Sequence, residues 1–261
     1  MMDSAHWLLP TFGLGLGAIV GSFLALVAAR WPAGRSFVGG RSRCDSCDRV
    51  LGPVDLVPLL SYILLGGRCR SCRAAIPASA FWIEAAAALI GMAAVALARQ
   101  PLDLLWALFG WVLLLLAVLD LRHFWLPNAL TLPLLGGGLA VSALHAWPPT
   151  DAAIGAAAGF AGLELVRQLH ARMTGRDGMG AGDPRLFAAI GAWLGWRALP
   201  PVLLAAALVG LAAVAVAAMR GRDVSRQTQV SFGTCLAIAA IAWWLVVAAG
   251  SGVSVLPSWV A

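Results

Sequence analysis

Residues 102–122 read LDLLWALFGWVLLLLAVLDLR, an apolar run over 102–119 that stops at Asp120 and Arg122. An α-helix rises 1.5 Å per residue, so about 20 such residues cross roughly 30 Å of bilayer hydrocarbon. The stretch therefore predicts a membrane-spanning helix with an acid set at its edge, where an ionisable group is costly and calls for a reason. Runs of the same kind lie at 7–29, 80–98, 127–147, 151–169, 184–199, 200–219 and 230–250. The sixth in chain order, 184–199, is short and Gly-rich. Turn residues mark the breaks: Arg99-Gln100-Pro101, Trp147-Pro148-Pro149 and Pro200-Pro201. The expected fold is all-α: a polytopic membrane protein of about eight transmembrane helices with a small cytoplasmic loop domain.

Composition agrees with that reading. Of 261 residues, 61% are apolar and only 11% charged, with a mean hydropathy of +0.87. A soluble globule carries about a quarter charged residues, and disordered, coiled-coil and disulfide-scaffold classes are excluded as well. The net charge of +6 would suggest nucleic acid in a soluble domain. In a membrane protein it reports topology, because basic residues accumulate in cytoplasmic loops, and no nucleic-acid partner is expected. All 18 basic residues are arginine. With the loop from Arg30 to Ala78 in the cytoplasm, alternation puts 16 arginines on that side, including Arg122, Arg167, Arg172, Arg176, Arg185, Arg220, Arg222 and Arg226. Only Arg99 and Arg197 fall outside. Both termini are then periplasmic. No Arg precedes the first run and Arg30 follows it, which favours a retained helix over a cleavable signal. Gly13, Gly15, Gly17 and Gly21 supply the small surfaces by which helices pack in lipid.

Four of the five cysteines form Cys44-x-x-Cys47 and, after 21 intervening residues, Cys69-x-x-Cys72. Two such knuckles bring four soft thiolates to one tetrahedral ion, for which Zn²⁺ is the usual occupant, in a closed structural site. Two disulfides are the alternative, disfavoured where a cytoplasmic loop is kept reduced. In a polar loop with few large apolar residues, the ion would supply folding energy. Cys235, alone in an apolar run, reads as a packing residue.

Asp120 ends the third run, and Asp183 opens the sixth in Gly180-Ala181-Gly182-Asp183-Pro184-Arg185. Sixty-three residues separate them, but the two helices between run out and back, so both acids reach the same face. Two carboxylates within reach of one another hold one proton between them. The ionised member can then activate water while the protonated one polarises a carbonyl. The opposite polarity of the two helix ends would help to separate those roles. Asp183-Pro184 also suits a helix N-cap with proline in the first turn. Gly180 and Gly182 tilt the reading toward catalysis, because they leave room for a substrate strand. Glu164, inside the fifth run, reads as a partner for a neighbouring helix, and His123 as a solvated surface residue.

In these residues the chain resembles the type IV prepilin leader peptidases with associated N-methyltransferase activity, membrane aspartic peptidases that carry a Gly-x-Gly-Asp motif. The resemblance rests on Gly21-Ser22-Phe23-Leu24, the two Cys pairs, Asp55-Leu56-Val57-Pro58-Leu59-Leu60-Ser61-Tyr62, Asp120 followed by Leu126-Pro127, Thr131-Leu132-Pro133, and Gly180-Ala181-Gly182-Asp183. It implies that Asp120 and Asp183 cleave the leaders of type IV prepilins or type II secretion pseudopilins after a glycine, at the cytoplasmic face of the bacterial inner membrane. It also implies methylation of the new amino terminus with S-adenosylmethionine, for which Glu84 is a candidate residue, and Arg185 as a motif residue at the substrate approach. On this reading 1–29 is the first span, 30–78 the four-cysteine zinc loop, 79–100 the second span of a methyltransferase-associated region, and 101–261 the peptidase domain. Four departures stand out. Asn128 replaces the usual acid after Leu-Pro, and Arg185 the usual lysine. Asp55-Leu56-Val57-Pro58 replaces Asp-Asn-Ile-Pro, and Ser79-Ala80-Phe81-Trp82 stands before Glu84 where Arg-Tyr-Pro is usual. Membrane lipid is the other expected partner, through the arginine-rich loop. Two other classes compete: a proton-coupled transporter with Asp120, Asp183, Glu84 and Glu164 as relay, and a noncatalytic scaffold docking through the zinc loop.

Overall fold

The computed structural model describes residues 5–144, 148–175, 179–221 and 229–250. Trp147, Arg176, Arg222 and Arg226 lie outside the described residues. Each apolar run holds a helix: α1 (Ala5–Arg30), α3 (Ala78–Leu97), α4 (Leu105–His123), α5 (Asn128–Leu144), α6 (Pro149–Thr174), α7 (Asp183–Leu194), α8 (Leu199–Met219) and α9 (Phe232–Gly250), with a short α2 (Leu60–Leu64) in the first long loop. Two isolated bridges, Arg43 with Val50 and Arg68 with Ala75, are the extended pairings among the described residues. Five segments are long and apolar enough to cross a bilayer: 8–30, 78–97, 101–123, 196–219 and 232–250. Helix α5 is apolar but has 17 residues. Helix α6 has 26, and its second half carries Glu164, Arg167 and Arg172.

The chain divides into two compact units, 1–114 and 115–261. In the first, α1 and α3 pair along a seam of small residues. A side chain on Gly13 would come within 2.6 Å of the Gly91 carbonyl oxygen, and one on Gly21 within 2.6 Å of the Glu84 Cα. Gly17 faces Ala87 in the same row, whereas Gly15 faces open space. The seam thus takes every fourth residue of α1, one helix face, and the backbones approach as helices do where lipid removes the hydrophobic drive.

The second unit is organised around α7. This helix has 12 residues, about 18 Å of rise, well short of a bilayer, yet every residue from Leu186 to Leu194 is buried. It stops at Gly195, whose φ of 78° favours glycine, a few residues before the end of the expected run. Its neighbours make room with glycine. A side chain on Gly159 of α6 would lie 2.7 Å from the Phe187 carbonyl oxygen, and one on Gly138 of α5 would lie 2.6 Å from Trp193 Cδ1. The Trp193 indole N–H donates to the Leu134 carbonyl at 2.7 Å, satisfying its one polar atom in the core.

Candidate functional site

Asp120 stands in the last turn of α4 and Asp183 is the first residue of α7, and both are 5% exposed. They converge on the start of α9. A side chain built on Gly233 would meet Asp120 Oδ2 at 3.0 Å and Asp183 Oδ1 at 3.1 Å. The two oxygens can therefore be no farther apart than those two short lengths laid end to end. Leu126, in the link from α4 to α5, fills the adjoining space. Its side chain lies 2.7 Å from where a Gly182 Cβ would be and 2.8 Å from where a Gly233 Cβ would be. Glycine at 182 is thus needed to admit Leu126. Gly182 precedes α7 with an ordinary φ of −79° and takes the N-cap place, so Asp183 lies inside the helix. Gly180 lies against Asp183, with its Cβ direction 3.4 Å from Oδ2.

Thr234 holds Asp120 in place. Its backbone N–H donates to Asp120 Oδ2 at 2.8 Å. As a first-turn residue of α9 it has no acceptor within its own helix, so the carboxylate satisfies an otherwise orphaned donor. The Thr234 hydroxyl lies 2.9 Å from the Ala117 carbonyl oxygen and 3.2 Å from Asp120 Oδ2, and its single proton serves one acceptor or the other. Gly233 and Thr234 carry no signal of this role in the sequence. Thr234 is one polar residue near the start of an apolar run, and only the fold reveals that the run opens onto Asp120.

Arg185, in the first turn of α7, donates to Asn128 Oδ1 at 2.9 Å. Two of the four departures from the family pattern are thus partners. Glu164 accepts from Arg167 at 2.7 Å and 2.9 Å and from Gln168 at 2.8 Å, all on its own helix. His123 is exposed and Cys235 buried.

In the first unit, the Sγ atoms of Cys44, Cys47, Cys69 and Cys72 all lie within 4.8 Å of one another, and those of Cys44 and Cys72 are 3.7 Å apart. Four sulfurs at 2.3 Å from one ion, at the corners of a tetrahedron, would be about 3.8 Å apart, so the cluster fits such an ion. The two knuckles repeat one backbone design. Cys44 N–H donates to the Arg49 carbonyl and Cys69 N–H to the Ala74 carbonyl, each at 2.9 Å, with positive φ at Asp48 (53°) and Arg73 (60°). Backbone N–H groups of Cys72 and Ser71 facing Cys69 lower its thiol to about 6. Cys72 faces the Ala74 N–H, yet desolvation and the neighbouring sulfurs of Cys47, Cys69 and Cys44 push it up to about 11. Four sulfurs crowded this way can all become thiolates only beside a cation.

Asp55 braces the loop. It accepts from Arg49 at 2.8 Å, from Arg70 at 2.9 Å and from the Gly52 N–H at 3.2 Å. The Gly52 N–H, with both guanidinium groups, holds its carboxyl below the usual carboxylate range against desolvation. Glu84, in the second turn of α3, accepts the Leu59 N–H at 2.8 Å. One of its oxygens is therefore engaged by the loop. The space beside Gly21 is taken by the backbone of Glu84. Neither feature opens a cradle for S-adenosylmethionine.

Comparison with known proteins places these features in a family. Residues 16–98 match the Bacterial Peptidase A24 N-terminal domain and residues 107–215 the Type IV leader peptidase family. A prepilin leader peptidase/N-methyltransferase of Aeromonas salmonicida (strain A449) is 43% identical over 202 residues, covering 76% of this chain and 69% of its own length. That of Burkholderia pseudomallei (strain 1026b) is 40% identical over 239 residues, covering 81% and 77%. That of Dickeya chrysanthemi is 38% identical over 258 residues, covering 89% and 90%. No solved structure matches.

Proposed function

The chain belongs to the prepilin leader peptidase/N-methyltransferase family, and from that premise we propose that Asp120 and Asp183 are the pair with which it removes the leaders of type IV prepilins or type II secretion pseudopilins. The observation that supports this most is their approach to one point, the missing side chain of Gly233. One proton is shared by two carboxylates this close. The ionised member takes a proton from water, whose oxygen attacks the carbonyl carbon of the glycine before the cut. The protonated member donates to the carbonyl oxygen. Collapse of the tetrahedral adduct breaks the C–N bond, and the departing amine takes up a proton from the dyad, leaving one carboxyl-ended leader and one amine-ended pilin. Thr234 positions Asp120, Leu126 closes one side, and Gly180 and Gly182 with Arg185 form the approach for the substrate strand. Glu164, already paired within α6, is unavailable as a relay, which disfavours the proton-transporter reading.

The arginine pattern supports a site on the cytoplasmic face of the inner membrane, with both termini periplasmic. Residues 1–100 form the methyltransferase-associated region, with the four-cysteine loop over 30–78, and 101–261 the peptidase domain. Cys44, Cys47, Cys69 and Cys72 would hold a Zn²⁺ that serves structure rather than catalysis. Methylation of the new amino terminus with S-adenosylmethionine follows from the family. Glu84 remains its candidate residue. Co-expression with a prepilin carrying glycine before its cleavage point tests the peptidase assignment. Asp120→Asn and Asp183→Asn should each leave the leader uncut with the enzyme still in the membrane.

A further inference from the structure

Helix α2 turns three large apolar side chains outward: Leu60 (57% exposed), Ile63 (60%) and Leu64 (81%). Positions i, i+3 and i+4 form one helix face, so this is a continuous apolar stripe. The opposite face is occupied, because Tyr62 packs against Phe81 of α3 with ring centroids 5.2 Å apart. A free stripe of this kind on a loop needs an occupant, and the geometry around Glu84 identifies it.

Glu84 lies six residues into α3, about 9 Å along the helix axis from Ala78. A helical side chain points back toward the N terminus and recovers a few ångströms of that depth. The Leu59 N–H that Glu84 accepts and the Tyr62 ring that meets Phe81 therefore stand beside the first two turns of α3. The chain reaches this position through a strained turn. Leu59 has φ 62° and ψ −52°, and the Leu60 N–H closes onto the Pro58 carbonyl at 2.6 Å. Such a γ-turn is rare and costly for a residue with a side chain and persists only where its surroundings fix it. The Glu84 carboxylate fixes it here. Trp82 is 68% exposed on the first turns of α3, and tryptophan is enriched at membrane interfaces. The exposed Arg68 and Arg73 follow α2 and suit anionic head groups.

We propose that α2 is a membrane-embedded elbow: Leu60, Ile63 and Leu64 insert among lipid acyl chains beside the start of α3, and Glu84, holding Leu59, sets the depth. The four-cysteine loop is thereby seated on the bilayer at a third point, besides its two tethers to α1 and α3. Interfacial helices bury their apolar face about 5–10 Å deep.

The test is photocrosslinking of the full chain in vesicles of mixed zwitterionic and anionic lipid, with a benzophenone amino acid in place of Leu64 or, as control, Asp48 in the first knuckle, whose side chain is 80% exposed. Adducts of lipid mass at position 64 and not at 48 are expected. Adducts at 64 only with a second copy or with an added prepilin, and none with lipid, would overturn the proposal. A spin label at position 63 gives a second readout. Its accessibility to a water-soluble relaxant should rise several-fold in Glu84→Ala and stay near parental in Glu84→Gln, whose amide oxygen still accepts the Leu59 N–H. Equal accessibility in the parent, Glu84→Ala and an aqueous-loop control would also overturn it.

Discussion

Replacing Gly233 with alanine places one methyl group between the two acids. The new carbon would stand 3.0 Å from Asp120 Oδ2, 3.1 Å from Asp183 Oδ1 and 2.8 Å from Leu126 Cδ1. Ordinary carbon contacts fall at about 3.5–4.0 Å, so Leu126 must yield by roughly 1 Å and each carboxylate by a few tenths. Overpacking of this kind costs about 1–3 kcal/mol. Alanine regains up to about 1 kcal/mol of helix propensity in α9, so the net loss of stability is small. Activity should respond far more, since a displacement near 1 Å at reacting groups costs about 100-fold in rate. The expected result is a drop of roughly 10- to 100-fold in kcat for cleavage of a purified prepilin in detergent or vesicles, with KM nearly unchanged and the variant present in the membrane at parental level. Gly136→Ala is the control, because its new methyl group meets nothing within 4 Å. Cleavage by Gly233→Ala at the parental rate would refute the claim that both carboxylates close on that point.

Thr234→Val keeps the N–H to Asp120 and removes the hydroxyl. It should lower kcat about tenfold while Thr234→Ser stays near parental, and equal rates for both would remove the hydroxyl from the account. Replacing Cys44 and Cys72 with serine should abolish bound zinc, measured by elemental analysis of the purified protein, and lower folded yield; undiminished zinc would contradict the metal assignment. Asp55→Asn should speed proteolysis of the loop at neutral pH. Because folding lowers the Asp55 carboxyl from its ordinary 3.8, its contribution is complete above that value and is lost only as pH falls through the depressed one. The variant-to-parent ratio should then be the same at about pH 6 and about pH 8, and a ratio that changes between them would refute that origin.

The membrane fold was legible because a span leaves a plain trace: a long apolar run bounded by charge or proline. The four-cysteine cluster was legible because a metal knuckle fixes its own spacing. Asp120 and Asp183 were legible as isolated acids at run ends, and alternation of the helices sent them to one face. Helix α7 was harder to delimit. A segment wrapped by α5, α6 and α9 can be apolar on every side without being long enough to cross a bilayer, and apolarity alone does not separate those cases. Thr234 was hidden because its role depends on where the first turn of α9 points. The glycines split for a similar reason. Gly13, Gly17 and Gly21 line the seam with α3 while Gly15 faces open space, a distinction set by helix register and invisible in the count of glycines. Leu59 was hidden because nothing in Pro58-Leu59-Leu60 announces a positive φ in a leucine.

The central claim is that two carboxylates act as one catalytic unit, and it is tested most directly by leader removal from a co-expressed prepilin in Asp120→Asn, Asp183→Asn and the double variant. The expected outcome is uncut prepilin in all three, with the double variant no worse than either single one and all three proteins held in the membrane at parental levels. Cleavage by either single variant at the parental rate would contradict it.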